Sequence, residues 1–167
     1  SFTQEHNIGL GSNSVNVGAH SAPTLVDING DSKVDMFAGN ADGNVVYFLN
    51  VGTITKSSFA MKTGVDNPMD GIDVGDNAHP TVVDLNGDTL VDLVIGNAAG
   101  KLLYFENTGT SSNPIFTEKI GAANPLFGID VGRNATPVFG DYKNNDGKPD
   151  MIVGNANGQL MCYVFSG

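Results

Sequence analysis

A 57-residue period runs through the whole chain and constrains its fold more than any other feature. Phe2, Phe59 and Phe116 are in phase, as are Gly18, Gly75 and Gly132, then Pro23, Pro80 and Pro137, then Asp27, Asp84 and Asp141. After Asp141 the third copy gains one residue, so Gly39, Gly96 and Gly154 correspond, and so do Gly43, Gly100 and Gly158. So many matches in phase mean one supersecondary unit written three times, over approximately residues 1–57, 58–114 and 115–167. The 167 residues suit one domain on a prior of roughly 100–200 residues per domain.

Each unit reads as four short strands. In the second copy, residues 80–84 are apolar and β-branched and open on a proline, which a strand tolerates at its first residue. Residues 91–96 are mostly apolar, as expected of a strand covered on both faces. Residues 101–107 form the third strand, after a hairpin turn, Asn97 to Gly100, that recurs at Asn40 to Gly43 and Asn155 to Gly158. The fourth begins at Phe59 or Phe116. No stretch sustains a 3.6-residue apolar period, so essentially no helix is expected. Four-stranded units at this spacing predict an all-β protein, a β-propeller with three four-stranded blades per chain. A β-solenoid is the alternative, although its repeats are usually shorter.

The acids are lopsided: fifteen Asp against three Glu, and nine of the 18 sit in the loop between the first and second strands. In the first copy this loop places Asp27, Asn29, Asp31 and Asp35 at positions 1, 3, 5 and 9, with the carbonyl of Lys33 at position 7. In the second copy Asp84, Asn86, Asp88, the Leu90 carbonyl and Asp92 take the same places. Alternating oxygens at this spacing suit Ca²⁺, and the glycine at position 4 permits the tight turn. Three carboxylates so close would repel one another without a cation. In the third copy Asn144, Asp146, the Lys148 carbonyl and Asp150 keep register. There position 1 falls on Tyr142, unless the extra residue bulges and lets Asp141 reach the ion. Two Ca²⁺ sites are expected, with a third in this last loop. These are not EF-hands, because Ala38 or Ile95 replaces the bidentate Glu at position 12.

This loop precedes a strand ending in a small residue and glycine (Ala38-Gly39, Ile95-Gly96, Val153-Gly154), an Asn-x-x-Gly turn and a Tyr/Phe strand. The combination resembles the FG-GAP repeats of integrin α chains, and more closely the VCBS-type repeats of secreted microbial and protist proteins. The resemblance implies a propeller with Ca²⁺ in its loops, an extracellular or cell-surface setting, and roles in adhesion, carbohydrate binding or scaffolding. Family propellers have more blades than three.

Other chemistry is sparse. The histidines His6, His20 and His79 occupy no equivalent repeat positions, and no nucleophile elbow is present. Cys162 stands where the other copies have Tyr47 and Tyr104, which reads as a strand or core substitution. A lone cysteine also excludes an intrachain disulfide. Asn134 opens the N-glycosylation triplet Asn134-Ala135-Thr136. The Gly- and Asp-rich segments before the first strands, at Asn16 to Gly18, Gly71 to Gly75 and Gly128 to Gly132, read first as turns and second as ligand loops. A net charge of −10 with no basic cluster argues against nucleic acid and anionic membranes. No run approaches the roughly 18 apolar residues of a membrane span. No signal peptide is present, and the chain opens at Ser1 as a processed or excised product would.

These features predict a non-enzymatic, Ca²⁺-stabilised extracellular module that recognises a glycan or protein and assembles head-to-tail with itself. A structural subunit polymerising into a filament by strand exchange is the alternative, and an enzyme of polysaccharide degradation a weaker third. Residues 2–5 match the fourth strand of a blade, and the last copy lacks one. That pairing predicts that residues 2–5 of one chain complete the last blade of another, in a closed six-bladed dimer or an open filament.

Overall fold

The computed structural model describes residues 15–165. Residues 2–5, with their expected cross-chain pairing, and His6 lie outside that range. The first unit comprises β1 (Ala22–Val26), β2 (Asp35–Gly39), β3 (Val45–Asn50) and β4 (Phe59–Lys62). The second comprises β5 (His79–Val83), β6 (Asp92–Gly96), β7 (Leu102–Asn107) and β8 (Phe116–Lys119). The third comprises β9 (Thr136–Gly140), β10 (Asp150–Gly154) and β11 (Leu160–Tyr163). Each unit is an antiparallel meander, β1-β2-β3-β4, β5-β6-β7-β8 and β9-β10-β11. The only helical pieces among the described residues are two three-residue 3₁₀ turns, Gly64–Asp66 and Gly121–Ala123. The protein is therefore all-β, and the described residues form a row of three sheets without a closed ring.

The first strands begin one residue earlier than the sequence pattern suggests, so Pro23, Pro80 and Pro137 are each second in their strand. These strands are sheet edges, where a missing N–H costs no ladder bond. β1 lies beside β5, and β5 beside β9.

The core lies between units rather than within one. Phe37, Val45 and Tyr47 of the first unit share a buried cluster with Leu93, Ile95 and Phe105 of the second. One repeat on, Val94, Leu102 and Tyr104 share another with Ala135, Met151 and Val153. Alternate residues of a strand point to opposite faces. The middle sheet is thus covered on both sides, and every residue of β6 is buried. No helix among the described residues is long and apolar enough to cross a membrane.

Candidate metal centre

The loop between the first two strands of a unit is held by its own carboxylates. Asp27 Oδ1 accepts from the backbone N–H groups of Gly30 at 2.9 Å and Asp31 at 3.2 Å, and Oδ2 accepts from Ser32 at 2.8 Å. Asn29 Oδ1 accepts from Asp31 N–H, and Asp31 Oδ1 from Lys33 N–H. The second loop repeats each bond: Asp84 accepts from Gly87, Asp88 and Thr89, Asn86 from Asp88, and Asp88 from Leu90. Short acidic and amide side chains folding back on the chain two to five residues ahead are why Asp and Asn dominate here.

These bonds hold positions 4 and 6 in the left-handed region. Gly30 and Ser32 have φ of 71° and 65°, and Gly87 and Thr89 of 79° and 74°. Glycine enters that region freely, whereas a β-branched threonine there is strained. The third loop has the same pair at Asn145, 57°, and Gly147, 82°. Asp141 Oδ2 accepts from Gly147 N–H at 2.7 Å, the bond that Asp27 makes to Ser32. The inserted residue therefore bulges before Asn144, and Asp141 rather than Tyr142 holds position 1. Its other oxygen, Oδ1, is buried without a hydrogen-bond partner.

The neutralising charge differs among the loops. Lys33 Nζ lies 2.9 Å from Asp31 Oδ2, and this ammonium holds the Asp31 carboxyl below the usual carboxylate range. Leu90 takes that place in the second loop, where the Asn86 amide donates to Asp88 Oδ2 at 2.9 Å. In the third, Asn144 donates to Asp146 Oδ2 at 2.8 Å, and Lys148 Nζ sits 5.7 Å from the centre of the Phe165 ring.

Position 9 behaves differently. Asp35, Asp92 and Asp150 are all but fully buried at the start of the second strand. Asp35 accepts from Asn50 N–H at 2.7 Å and from the Tyr47 hydroxyl at 3.0 Å. Asp92 accepts from Asn107 N–H, the Tyr104 hydroxyl and Leu85 N–H. Asp150 accepts from the N–H groups of Lys143 and Phe165. Burial pushes the carboxyls of Asp35 and Asp92 up, against the opposing pull of these donors. Burial and the neighbouring carboxylate likewise raise the Tyr47 and Tyr104 hydroxyls. Among the described residues no three His, Cys, Asp or Glu side chains gather as a metal cluster. The loops thus bring positions 1, 3 and 5 together, while position 9 is tied both to the strand network and, in the second and third units, to the loop at the N–H groups of Leu85 and Lys143. An all-oxygen donor set and the unpartnered Asp141 Oδ1 still match a hard cation.

Sequence reasoning missed the residues that lock the units. Asn40, Asn97 and Asn155, read only as turn residues, each donate from Nδ2 to the segment before the first strand, at the carbonyls of Val17, Val74 and Val131. Asn67 and Asn124 reach the carbonyls of Val45 and Leu102. Their recurrence at the repeat spacing, 57 residues or 58 across the inserted one, was the available signal. His20, Asn77 and Asn134, also 57 apart, are all left-handed and form a ladder: His20 Nδ1 to Asn77 Oδ1 at 2.9 Å, Asn77 Nδ2 to Asn134 Oδ1 at 3.2 Å. The sequon residue Asn134 thus belongs to this ladder. His79 is half-buried, and burial, with His20 nearby, lowers its imidazole. The segments before the first strands are turns, in which Asn16, Asp73 and Asp130 cap Gly18, Gly75 and Gly132. Cys162 lies on β11, exposed rather than in the core.

A cleft of about 480 Å³ opens between the first two units. Asn29 of the first Asp loop lines it together with Lys62, Asp66 and Asn113, over Tyr47 and Phe116.

No model of a known protein family matches the chain. A curated lambda-carrageenase from a Pseudoalteromonas species is 30% identical over 144 residues. The match covers 83% of this chain but only 14% of that enzyme, so the chain spans about one seventh of its relative's length.

Proposed function

We propose that the chain is a secreted, Ca²⁺-stabilised propeller-type repeat module of the FG-GAP/VCBS kind, which recognises a glycan rather than transforming one. The observation that carries the reading is the triplicate Asp loop, in which the same two backbone positions are held left-handed in every copy. In one copy this forces a threonine into that region, and in another a carboxylate oxygen is buried without a partner. Strain of this kind persists where a site requires it. Ca²⁺ would be held by Asp27, Asn29, Asp31, the Lys33 carbonyl and Asp35, by their counterparts Asp84, Asn86, Asp88, Leu90 and Asp92, and by Asp141, Asn144, Asp146, Lys148 and Asp150. Its charge would relieve the repulsion among the carboxylates.

The carbohydrate side of the reading is supported by the stretch of a lambda-carrageenase that this chain resembles. It is also supported by the cleft beside Asn29, where amide, ammonium and carboxylate groups border an apolar floor. The module assembles head-to-tail with itself; growth of that contact into a filament is the second reading.

Glycan-array binding and calorimetry, with Ca²⁺ and with excess chelator, test this proposal. Retention of a glycan in Ca²⁺, lost on chelation and weakened by Lys62→Ala or Asn113→Ala, is the expected outcome. A chain that takes up no Ca²⁺ by elemental analysis and retains no glycan overturns it.

A further inference from the structure

Asparagine is a chemically labile residue, most so before a glycine, whose lack of a Cβ leaves the backbone nitrogen open to the side chain. The chain has three such pairs, Asn29-Gly30, Asn86-Gly87 and Asn157-Gly158. The first two hold position 3 of the Asp loops, and the third lies in the hairpin turn between β10 and β11.

In the Asp loops both reacting groups are held. Gly30 N–H donates to Asp27 Oδ1 at 2.9 Å, and Gly87 N–H to Asp84 Oδ1 at 2.8 Å. Removing a proton from an N–H beside a carboxylate would set two negative charges together, so these nitrogens are poor nucleophiles. The side-chain oxygens are held as well, Asn29 Oδ1 by Asp31 N–H and Asn86 Oδ1 by Asp88 N–H, each at 3.0 Å. Asn86 Nδ2 also donates to Asp88 Oδ2. At the hairpin neither restraint is present. Asn157 is exposed, and it bonds through its backbone N–H, to Asn155 Oδ1, but not through its side chain among the described residues. Gly158 N–H donates to the neutral Asn155 carbonyl at 3.1 Å. The counterparts of Asn157, Asp42 and Ala99, are exposed too, although another unit is bonded to each of those turns. The openness of this position therefore belongs to the turn itself.

We infer that Asn157 is a site of spontaneous covalent modification, deamidation through Gly158, and that the Asp loops shield Asn29 and Asn86 from the same reaction. The Gly158 nitrogen gives up its proton to solvent and attacks Asn157 Cγ. The new N–Cγ bond closes a five-membered succinimide as the Cγ–Nδ2 bond breaks, and Nδ2 takes up a proton and leaves as ammonia. Water then opens the ring at Cγ, giving an ordinary aspartyl residue, or at the α-carbonyl, giving an isoaspartyl one. The first product only reproduces the aspartate that the first copy has at Asp42. The second adds a methylene to the backbone of a tight turn, whose length fixes the strand pairing. Asn155 is then the residue disturbed, since its Oδ1 accepts from the N–H groups of Asn157 and Gln159 and its Nδ2 reaches the Val131 carbonyl. Modification thus falls on a turn that locks the third unit and spares the side-chain oxygens at position 3 of the Asp loops.

Peptide mapping by mass spectrometry, after incubation of the whole chain at mildly alkaline pH in Ca²⁺, in chelator and in urea, reads all three sites together. In urea the three pairs should convert at comparable rates, because only the dipeptide is left to set them. In the folded chain Asn157 should stay within a few-fold of its urea rate. Asn29 and Asn86 should slow by at least about tenfold, because their loops must first open and free a carboxylate-bound N–H. The same order is expected with and without Ca²⁺, since the shielding bonds are the chain's own. Asp27→Ala should speed Asn29 several-fold and leave Asn86 unchanged. The aged chain should melt below the fresh one, whereas N157D, with its ordinary backbone, should match the fresh chain. An Asn157 shielded as well as the loop pair overturns the inference. So does conversion first at Asn29 or Asn86, or loop shielding that Asp27→Ala leaves intact. None of these outcomes depends on glycan binding or on assembly, so the functional reading stands or falls separately.

Discussion

Gly96 and Gly154 occupy the same place in successive repeats, yet their surroundings are opposite. Gly96 lies under the Ala135 carbonyl of the next unit, whereas Gly154 faces the side-chain oxygen of Thr136 in its own unit. The strand sequences around them are nearly interchangeable, VDLVIG and PDMIVG. A residue's importance in this protein is set by whether a neighbouring unit stands against it. The Asp loops show the same dependence on context. One pairs Lys33 with Asp31, one has Leu90 at that position and a strained Thr89, and one has Lys148 there, relieves the strain with Gly147 and buries an unpartnered Asp141 oxygen.

The sharpest way to break this comparison is to add one methyl group at each glycine. Gly96→Ala forces a side chain into a fixed backbone carbonyl, so a loss of about 3 kcal/mol or more is expected, at the upper end of overpacking costs. Gly154→Ala should cost less, because only the Thr136 side chain, 2.7 Å from the added Cβ, has to shift. Equal losses in the two would mean that the junction does not impose the glycine.

Calcium is expected to separate the loops next. At about 1 mM free ion, a site with Kd near 10⁻⁴ M contributes roughly 1.4 kcal/mol. Chelation should lower the melting temperature accordingly, more steeply if all three loops load. Asp88→Ala should remove more of the Ca²⁺ response than Asp31→Ala, because Lys33 already offsets charge in the first loop. Titration calorimetry of the two variants measures the difference, and identical responses would contradict it.

Thr89→Gly sharpens the loop comparison further. Releasing a β-branched residue from φ 74° should raise the stability of the chelated protein by about 1 kcal/mol in denaturant titrations. The same change at Ser32 should do less.

The smallest effect concerns pH. Asp35 and Asp92 have carboxyls raised by burial, so in chelator the folded chain holds protons that the unfolded chain has released. Their contribution to stability is present near the unfolded value of about 3.9 and is lost as pH rises through the raised folded value. Loading with Ca²⁺ should reverse that slope, because the cation favours the ionised form. Asp35→Asn retains an acceptor for Asn50 N–H and can donate to Tyr47. It should therefore cost about 1 kcal/mol or less at neutral pH while flattening the slope in urea titrations.

Much of this was legible beforehand because a repeat exposes its own grammar. The strands, the hairpin turns and the near absence of helix among the described residues all follow from alternation and turn chemistry, which act over a few neighbouring residues. The same local rules account for the Asx bonds of the loops. They did not reveal that position 9 is also bound into the strand network, since that depends on Tyr47 and Asn50, twelve and fifteen residues ahead and across a strand. Nor did they show which residue fills position 1 of the third loop. Asp141 and Tyr142 are adjacent in sequence, and only the φ pattern of Asn145 and Gly147 distinguishes them.

By itself, then, the sequence determined the unit, its strands and its turn residues, because those are short-range preferences written three times over. The tertiary structure alone decided where the core lies and what each repeated residue does. Apolar burial and backbone contacts at the junctions depend on which surfaces meet, and identical residues meet a neighbouring unit at Gly39 and Gly96 but, among the described residues, none at Gly154.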